Sequence, residues 1–559
     1  MTGLRLWHAM ALLAVLWAGI YLPGLGGEEL KGEEPRRVLP GLEMLRSGDW
    51  LQPVVAGTAY HRKPPMINWL TASGVMACGE VSEFAVRLPT VLLVLALGLG
   101  LCAAVTRAAT PDAGFLAGIF ALTNIGLMEK GRLAEIEGAY IAFSGLAFAA
   151  WLAFAAPRWA EFSPKSRPWL GWALAGPLLG LAFMTKGPPH LVMFYALAGM
   201  VWARCGRWRD ALHPAHAMGL LLAAAIGLPW FFRTHASEPS PLDHTAAAHD
   251  DADWLGQLSS RLDISTLDGP AWIVQIFQGI ANFLPWSVFL IALLSPALRR
   301  QFGIDKCSRL VGGLLAGCAL AYLIIALTPA ARARFTLPLI APASAALALA
   351  MVSADREHAF AGIWRRVLLG LCVATGVLAL VLPWLVQTSF RPGAVAASAL
   401  AIGLVFVVWE STRRWRESAS NLALASAVLM VAITALYVGG IQPVKSLTEE
   451  LRPTAKAINA LIQPGEQATL YRAGLQPWVF YSWGNVREVR DRKDIQPKTH
   501  QGVAQQVGPL VCEKERWLKE REKIEKTFGP AISEVLIENR WNHKELVFIR
   551  FQPQRPKDH

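Results

Sequence analysis

Runs of about 17–22 apolar residues recur along the chain from its start to about residue 440, with short polar or basic connections between them. About 20 apolar residues in a helix span the ~30 Å hydrocarbon core of a bilayer, so each run predicts a membrane-spanning helix. The runs lie near residues 7–25, 89–106, 113–128, 138–155, 169–185, 189–204, 217–233, 271–296, 310–328, 335–352, 367–386, 394–410 and 420–440, about thirteen in all. The first run follows Arg5 and has no small-residue cleavage site after it, so it reads as a retained helix rather than a removed signal peptide.

Basic residues alternate with the runs. One set of connections carries Arg107, then Arg158, Lys165 and Arg167, then Arg204, Arg207 and Arg209. It continues with Arg299, Arg300, Lys306 and Arg309, then Arg356, Arg365 and Arg366, and last Arg413, Arg414 and Arg416. Cytoplasmic loops hold the excess of Lys and Arg, so this set and Arg5 are expected on the cytoplasmic side. The opposite set includes Gly32–Met66, Glu129–Glu137, Lys186–Pro188 and the acidic 234–270 loop. An odd number of spans places the C-terminal tail on that outer side.

From about Gln442 the pattern changes to mixed charge with short apolar runs. Ala468–Tyr471, Val479–Trp483 and Glu545–Phe551 read as strands and Cys512–Lys526 as a charged helix, with Pro464-Gly465 and Gly529-Pro530 as turns. The fold class is thus a polytopic α-helical membrane protein with a small C-terminal extracytoplasmic α/β domain. Residues 1–441 form the membrane part, with a first outer loop over 26–88, and residues 442–559 form the outer domain.

Composition agrees. The chain is 54% hydrophobic and only 17% charged, with mean hydropathy +0.36, which is not the make-up of an ordinary soluble protein. Twenty-two tryptophans suit interfacial belts. The net charge of +12 resides in short loops between runs, which marks orientation in a membrane rather than nucleic-acid binding. The seven cysteines form no CxxC pair, so neither a zinc site nor a disulfide framework is indicated.

The segment Gly32–Met66 holds the densest polar chemistry. A helix through Glu33–Arg46 places Glu33, Arg36 and Arg37 on one face. Arginines so placed can hold a phosphate while a carboxylate handles a proton; the competing reading is a solvated helix with surface ion pairs. Other charges stand at outer ends of runs: Glu135 and Glu137 before the fourth, Lys186 closing the fifth ahead of Gly187-Pro188, Arg332 and Arg334 before the tenth, and Lys63 before Pro64-Pro65. A boundary carboxylate costs free energy unless it is used or paired, while a boundary lysine can simply snorkel. Together these cations enrich an outer face that should be poor in them, which a lipid-borne anionic phosphate would explain. Asp243, His244, His249, Asp250, Asp251 and Asp253 are metal-ligand types without a defined spacing, and an acidic loop is the better account of them.

These motifs, in their order, resemble those of the GT-C membrane glycosyltransferases related to the protein O-mannosyltransferases and the bacterial lipid A aminoarabinose transferase. Glu33-Glu34-Pro35-Arg36 matches the family's acidic-Glu-x-Arg motif, and Glu43 to Trp50 its EML-SGDW pattern. Lys63-Pro64-Pro65-Met66 with Trp69 follows, then Ala85-Val86-Arg87-Leu88-Pro89, Thr185-Lys186-Gly187-Pro188 and Arg334-Phe335-Thr336-Leu337-Pro338. The motifs cover about residues 1–350. Two positions depart: the first acid, usually aspartate, is Glu33, and the often acidic residue before the KPP element is Arg62.

The resemblance implies a GT-C fold and inverting transfer of a sugar from a polyprenyl-phosphate donor to a lipid A-type lipid, glycan or protein acceptor. The setting is the outer face of a bacterial cytoplasmic (inner) membrane, with the N-terminus cytoplasmic. Glu33, Glu34 and Glu137 become the candidate catalytic carboxylates; Arg36, Arg37, Lys63, Lys186 and Arg334 become candidates for the donor phosphate. Glu33 is the candidate base for an acceptor hydroxyl; a phosphate acceptor needs none, and Glu33 would then orient it or stabilise the transition state. No cofactor is implied with certainty; a divalent metal is possible, and Arg62 weakens the case for one. Two other readings are a lipid or saccharide transporter, which would show repeats and midplane charges, and an assembly protein with a docking tail.

Overall fold

The structure, a computed structural model, describes residues 5–61, 63–157, 166–235, 269–292, 306–329, 332–352, 357–414, 419–490 and 508–552. Arg62, several of the basic connection residues and the aspartates and histidines of the 243–253 segment lie outside them.

Every expected span overlaps a helix. The first helices are α1 (Leu6–Tyr21), α2 (Glu34–Ser47), α3 (Met66–Cys78), α4 (Glu83–Ala108), α5 (Pro111–Leu122), α6 (Ile125–Lys130), α7 (Ile136–Phe154), α8 (Pro168–Lys186), α9 (Pro189–Cys205) and α10 (Pro214–His235). Apolar helices then follow at Gly269–Ala281, Lys306–Ala326, Ile340–Val352, Glu357–Leu385, Arg391–Arg414 and Ala419–Leu436. Among the described residues, nine helices are long and apolar enough to cross a membrane. Shorter apolar helices, α1 and α5 among them, pack against these.

Local sequence sets the boundaries. Thr110 caps α5 by accepting from the Ala113 N–H at 3.2 Å, with Pro111 at the first helical position. Ser82 accepts from the Ala85 N–H in the same way, so α4 begins at Glu83 rather than near Pro89, which lies inside the helix. The Trp17 indole donates to the Val91 carbonyl at 3.0 Å and the Tyr21 hydroxyl to the Leu122 carbonyl at 2.8 Å, locking α1 to α4 and α5. On Glu357–Leu385 the side chains of Val373, Val377, Leu380 and Trp384 are exposed at helical spacing, a face that suits lipid rather than water.

The first outer loop carries two helices, α2 and α3, of which α3 was not expected. Between them Val54–Val55 (β1) pairs antiparallel with Thr58–Ala59 (β2). Ala56 and Gly57 both have positive φ, 50° and 74°, as a tight two-residue hairpin turn requires.

The C-terminal part is a mixed five-stranded sheet, order β4-β3-β5-β7-β6, with β3 (Ala468–Tyr471), β4 (Val486–Val489), β5 (Leu510–Glu513), β6 (Ala531–Asn539) and β7 (Lys544–Phe551). Strands β3, β4 and β5 pair in parallel, β5, β7 and β6 antiparallel. The charged helix occupies Lys514–Phe528, two residues later than expected, because Cys512 belongs to β5. Val479–Trp483, expected as a strand, is mostly a 3-10 turn over Pro477–Ser482. Trp478, Val479 and Phe480 are all buried, and three consecutive inward side chains are incompatible with strand alternation. This sheet shares a core with the first outer loop: Leu30, Val38, Leu39 and Leu42 pack with Leu451, Trp478, Phe480 and Val486.

Candidate active site

Two ion-paired groups meet where the first outer loop covers the ends of α7 and α8. The first is on α2. Glu33, just ahead of the helix, has Oε2 3.1 Å from Arg37 Nη2 and 3.9 Å from Arg36 Nη1, the same-face arrangement that the spacing predicts. Arg37 is nearly buried; it donates through Nη1 to the Tyr60 hydroxyl at 2.7 Å, and its carbonyl accepts from Asn68 Nδ2 at 2.6 Å. Glu33 remains 42% exposed, so its carboxylate is reachable.

The second group joins three elements. Glu137 lies in the first turn of α7 and Lys186 is the last residue of α8, so each charge sits at the helix end whose dipole favours it. Lys186 Nζ is 3.2 Å from Glu137 Oε1, and Arg334 Nε is 3.5 Å from the same oxygen. Rings of Tyr140 and Phe335 lie 5.4 Å and 5.0 Å from the ammonium. Arg334 is carried on a 3-10 turn over Ala333–Leu339. That turn is pinned where Gln275 Oε1 accepts from the Ala333 N–H and Asn282 Nδ2 donates to the Ala333 carbonyl at 2.8 Å.

The groups touch electrostatically. Arg37 and Glu137 interact through charge, and Glu135 bridges behind them. Glu135 is buried, lies 3.7 Å from Lys130 and accepts weakly from the Glu33 N–H at 3.4 Å. Burial pushes its carboxyl above the usual range, and Lys130 opposes this. The Arg37 Nε–H is sealed from solvent and has no hydrogen-bond partner among the described residues, while the Arg334 Nε–H faces Glu137 Oε1 at 3.5 Å. Buried donors are rarely left unmet, so the Arg37 Nε–H is available to an oxyanion.

Glu34 stands in different surroundings from Glu33. Expected as a catalytic acid, it is fully buried, with Oε1 and Oε2 each 2.8 Å from Arg87 Nε and Nη2. It also accepts from the backbone N–H of Ala134 and Lys31. With every oxygen engaged, it is a structural clasp between the loop and α4. Lys63 stands two residues before Pro65, the N-cap of α3, in the segment leaving the hairpin. Tyr60 and Arg87 were missed as partners: a tyrosine outside any charge cluster gives no signal, and Arg87 looks like a span-entry arginine.

A divalent cation fits poorly. Among the described residues no three His, Cys, Asp or Glu side chains converge. The oxygens of Glu34 belong to Arg87, and Glu33 is flanked by two arginines. No chemistry below is routed through a metal.

A family model for dolichyl-phosphate-mannose-protein mannosyltransferases matches residues 62–232. The undecaprenyl phosphate-α-4-amino-4-deoxy-L-arabinose arabinosyl transferase 2 of Pseudomonas fluorescens is 26% identical over 467 residues, 80% of this chain and 76% of the relative. The corresponding transferase of Pseudomonas paraeruginosa is 30% identical over 234 residues, 41% of each chain. The crystal structure of ArnT from Cupriavidus metallidurans bound to undecaprenyl phosphate aligns with a TM-score of 0.67 over 98% of both chains, at 16% identity. The fold is therefore the multi-pass GT-C fold, a bundle of membrane-length helices with a small C-terminal sheet domain. Within that class the chain is similar, over residues 62–232, to the dolichyl-phosphate-mannose-protein mannosyltransferases and, over most of its length, to an aminoarabinose transferase.

Proposed function

We propose that the enzyme transfers a sugar, with inversion, from a polyprenyl-phosphate donor to a lipid A-type lipid, glycan or protein acceptor at the outer face of a bacterial cytoplasmic membrane. Residues 1–441 form the catalytic membrane part, and 442–559 the domain beside its outer opening. Wherever residue 5 faces the cytoplasm, an odd number of spans carries the sheet to the other side. A transporter reading lacks support, since the paired charges gather at helix ends rather than in broken helices at the midplane.

The observation that carries the proposal is the gathering of Lys186 and Arg334 on one oxygen of Glu137, with the unmet Nε–H of Arg37 in charge contact with the same carboxylate. An acceptor oxygen attacks the anomeric carbon as the bond from that carbon to the phosphate oxygen breaks. The bonding electrons stay on the departing polyprenyl phosphate, whose charge rises. Arg334, Lys186 and Arg37 hold that oxyanion, with Arg36 and Lys63 at the rim; cations fixed in advance help most where charge develops. Glu137 orients Lys186 and Arg334 as a fixed counter-charge. Glu33 takes the proton from an acceptor hydroxyl; for an ionised phosphate acceptor it positions the nucleophile instead.

The test is mass spectrometry of lipids and envelope glycans from cells with the gene, without it, and with only the Glu33→Gln form. A polyprenyl-phosphate sugar should accumulate, and one acceptor should lose its substituent, in both deficient strains. No change in any lipid-linked sugar or glycan would overturn the proposal.

A further inference from the structure

The hairpin β1–β2 rests on the C-terminal sheet at its edge strand β4. A Cβ built on Gly57 would lie 3.2 Å from the Arg490 backbone nitrogen, so the hairpin tip meets the chain directly after β4. Glu488, on β4, accepts a hydrogen bond from the Ala56 backbone N–H inside the hairpin turn. Its other oxygen, Oε1, is sealed and has no hydrogen-bond partner among the described residues. A cavity of about 30 Å³ lies against it, lined by Glu43 and Arg46 from α2, Gly57 from the hairpin, Trp483 and Glu488 itself. That is room for one water. The Arg46 guanidinium stacks 4.8 Å from the Trp483 ring and pairs with Glu43.

On the other side the hairpin runs straight into the site. The Tyr60 N–H donates to the Pro53 carbonyl at 2.8 Å, closing the hairpin, and the Tyr60 hydroxyl holds Arg37, which holds Glu33. We propose that Glu488 is a positioning residue of the transfer reaction: it seats the Val54–Ala59 hairpin on the sheet, the hairpin seats Tyr60 against Arg37, and Arg37 sets Glu33. This gives the C-terminal domain a part in the chemistry although none of its residues enters the paired groups. The inference deepens the catalytic reading of Glu33 and rests on it.

The link responds to pH. Burial pushes the Glu488 carboxyl up to about 7; Arg46 opposes the shift and Glu43 adds to it. The other charged groups nearby are Arg487 and Arg490 on and after β4, and Arg472, whose Nε donates to the Arg490 carbonyl at 2.7 Å. The hairpin itself contributes no charge. A released hairpin would leave Glu488 in water near its ordinary 4.5. The seated form therefore binds the proton more tightly, and seating weakens as pH rises from about 4.5 to about 7 and then levels off. The anion is sealed with the Ala56 N–H as its donor and Oε1 unmet, a desolvation cost that the neutral acid carries to a smaller extent.

The experiment is hydrogen–deuterium exchange of the full-length, substrate-free enzyme in lipid nanodiscs at pH 6, 7 and 8, with rates scaled to an unstructured peptide at each pH. The peptide covering Val54–Tyr60 should lose protection several-fold from pH 6 to pH 8 in the wild type. In Glu488→Gln, which mimics the neutral acid, it should keep its pH 6 protection throughout. In Arg46→Met, which removes the charge opposing the shift, the fall should steepen. Tyr60→Phe should leave hairpin protection unchanged while reducing restoration of the acceptor modification in cells. A wild-type hairpin indifferent to pH, or a Glu488→Gln hairpin that follows the wild-type fall, would overturn the first link. Full restoration by Tyr60→Phe would overturn the second. Hairpin exchange needs no turnover, so an error in the assigned reaction would leave this readout intact.

Discussion

Glu34 and Arg87, 53 residues apart, close a two-point ion pair with both contacts at 2.8 Å, sealed from solvent. Arg87 also donates to the carbonyls of Leu25, Glu28 and Glu29, so one guanidinium gathers the loop onto α4. Removing one member of a buried pair strands the other charge and costs about 3–5 kcal/mol. Arg87→Met and Glu34→Ala should therefore lower the thermal midpoint and the yield of folded protein. Unfolding in detergent, followed by intrinsic fluorescence, checks this; normal stability with lost turnover would return Glu34 to the catalytic group.

Glu33, the neighbouring carboxylate, should behave in the opposite way. It is exposed, and its buried partner Arg37 keeps both the Tyr60 hydrogen bond and the charge of Glu137 when Glu33 is neutralised. Glu33→Gln should keep the wild-type midpoint and reduce turnover on a hydroxyl acceptor by about 10²–10⁴, the usual worth of a positioned base. A phosphate acceptor should show a smaller loss. Rates measured on both acceptor types separate the two roles.

Much of this layout is legible in the chain, for identifiable reasons. The spans were readable because lipid demands long uninterrupted apolar helices, and the Glu33–Arg37 pairing because helical spacing alone decides it. The burial of Glu34 against Arg87 was not legible because adjacent carboxylates look alike in sequence, while their surroundings depend on which faces α4. Meeting of Glu137, Lys186 and Arg334 depends on how three separate helix ends pack, which no local pattern encodes. The strand β6 gave no signal because Ala531–Asn539 does not alternate, with Val535, Leu536 and Ile537 in one run, and the 3-10 turn at Pro477 resembles a strand because of its aromatic run.

Lys186 and Arg334 share one oxygen of Glu137, so their substitutions should not be independent. Lys186→Met or Arg334→Met alone should reduce kcat/KM by one to a few orders of magnitude, since charge stabilisation lost at one donor is worth about 10²–10³. The double variant should fall by less than the product of the two. A strictly multiplicative result would mean that the cations act at separate places.

Gly32 has a φ of +56°, and a Cβ there would meet Glu135 Oε1 at 3.2 Å. Any L side chain in this left-handed conformation costs about 1–2 kcal/mol, and the methyl would also press on the carboxylate that receives the Glu33 N–H. Gly32→Ala should thus lower stability by about that amount and turnover by a larger factor, because the displacement falls on the residue before Glu33. Stability and rate measured on the same preparation decide it: a rate loss no greater than the loss of folded enzyme would make the position purely conformational.

Glu29 reaches from the first outer loop to the C-terminal part and caps a helix there. Its Oε2 accepts from the N–H groups of Glu450 and Leu451 at 3.0 and 3.2 Å, and its Oε1 from that of Arg452 at 2.6 Å, at the start of the Leu451–Asn459 helix. No side chain within that helix supplies a cap, so three of its orphan donors depend on a residue more than 400 positions away. A carboxylate at a helix N-terminus adds the dipole interaction to the hydrogen bonds, together about 1–2 kcal/mol. Glu29→Ala should raise hydrogen exchange across residues 450–454, while Glu29→Gln, which keeps an acceptor but loses the charge, should fall between. The loosening should reach Arg452, which pairs with Glu83 at the start of α4, so exchange in the first turn of α4 should rise as well. If the change stays within the Leu451–Asn459 helix, Glu29 is a local cap and the seam between the two parts is held by their shared apolar core.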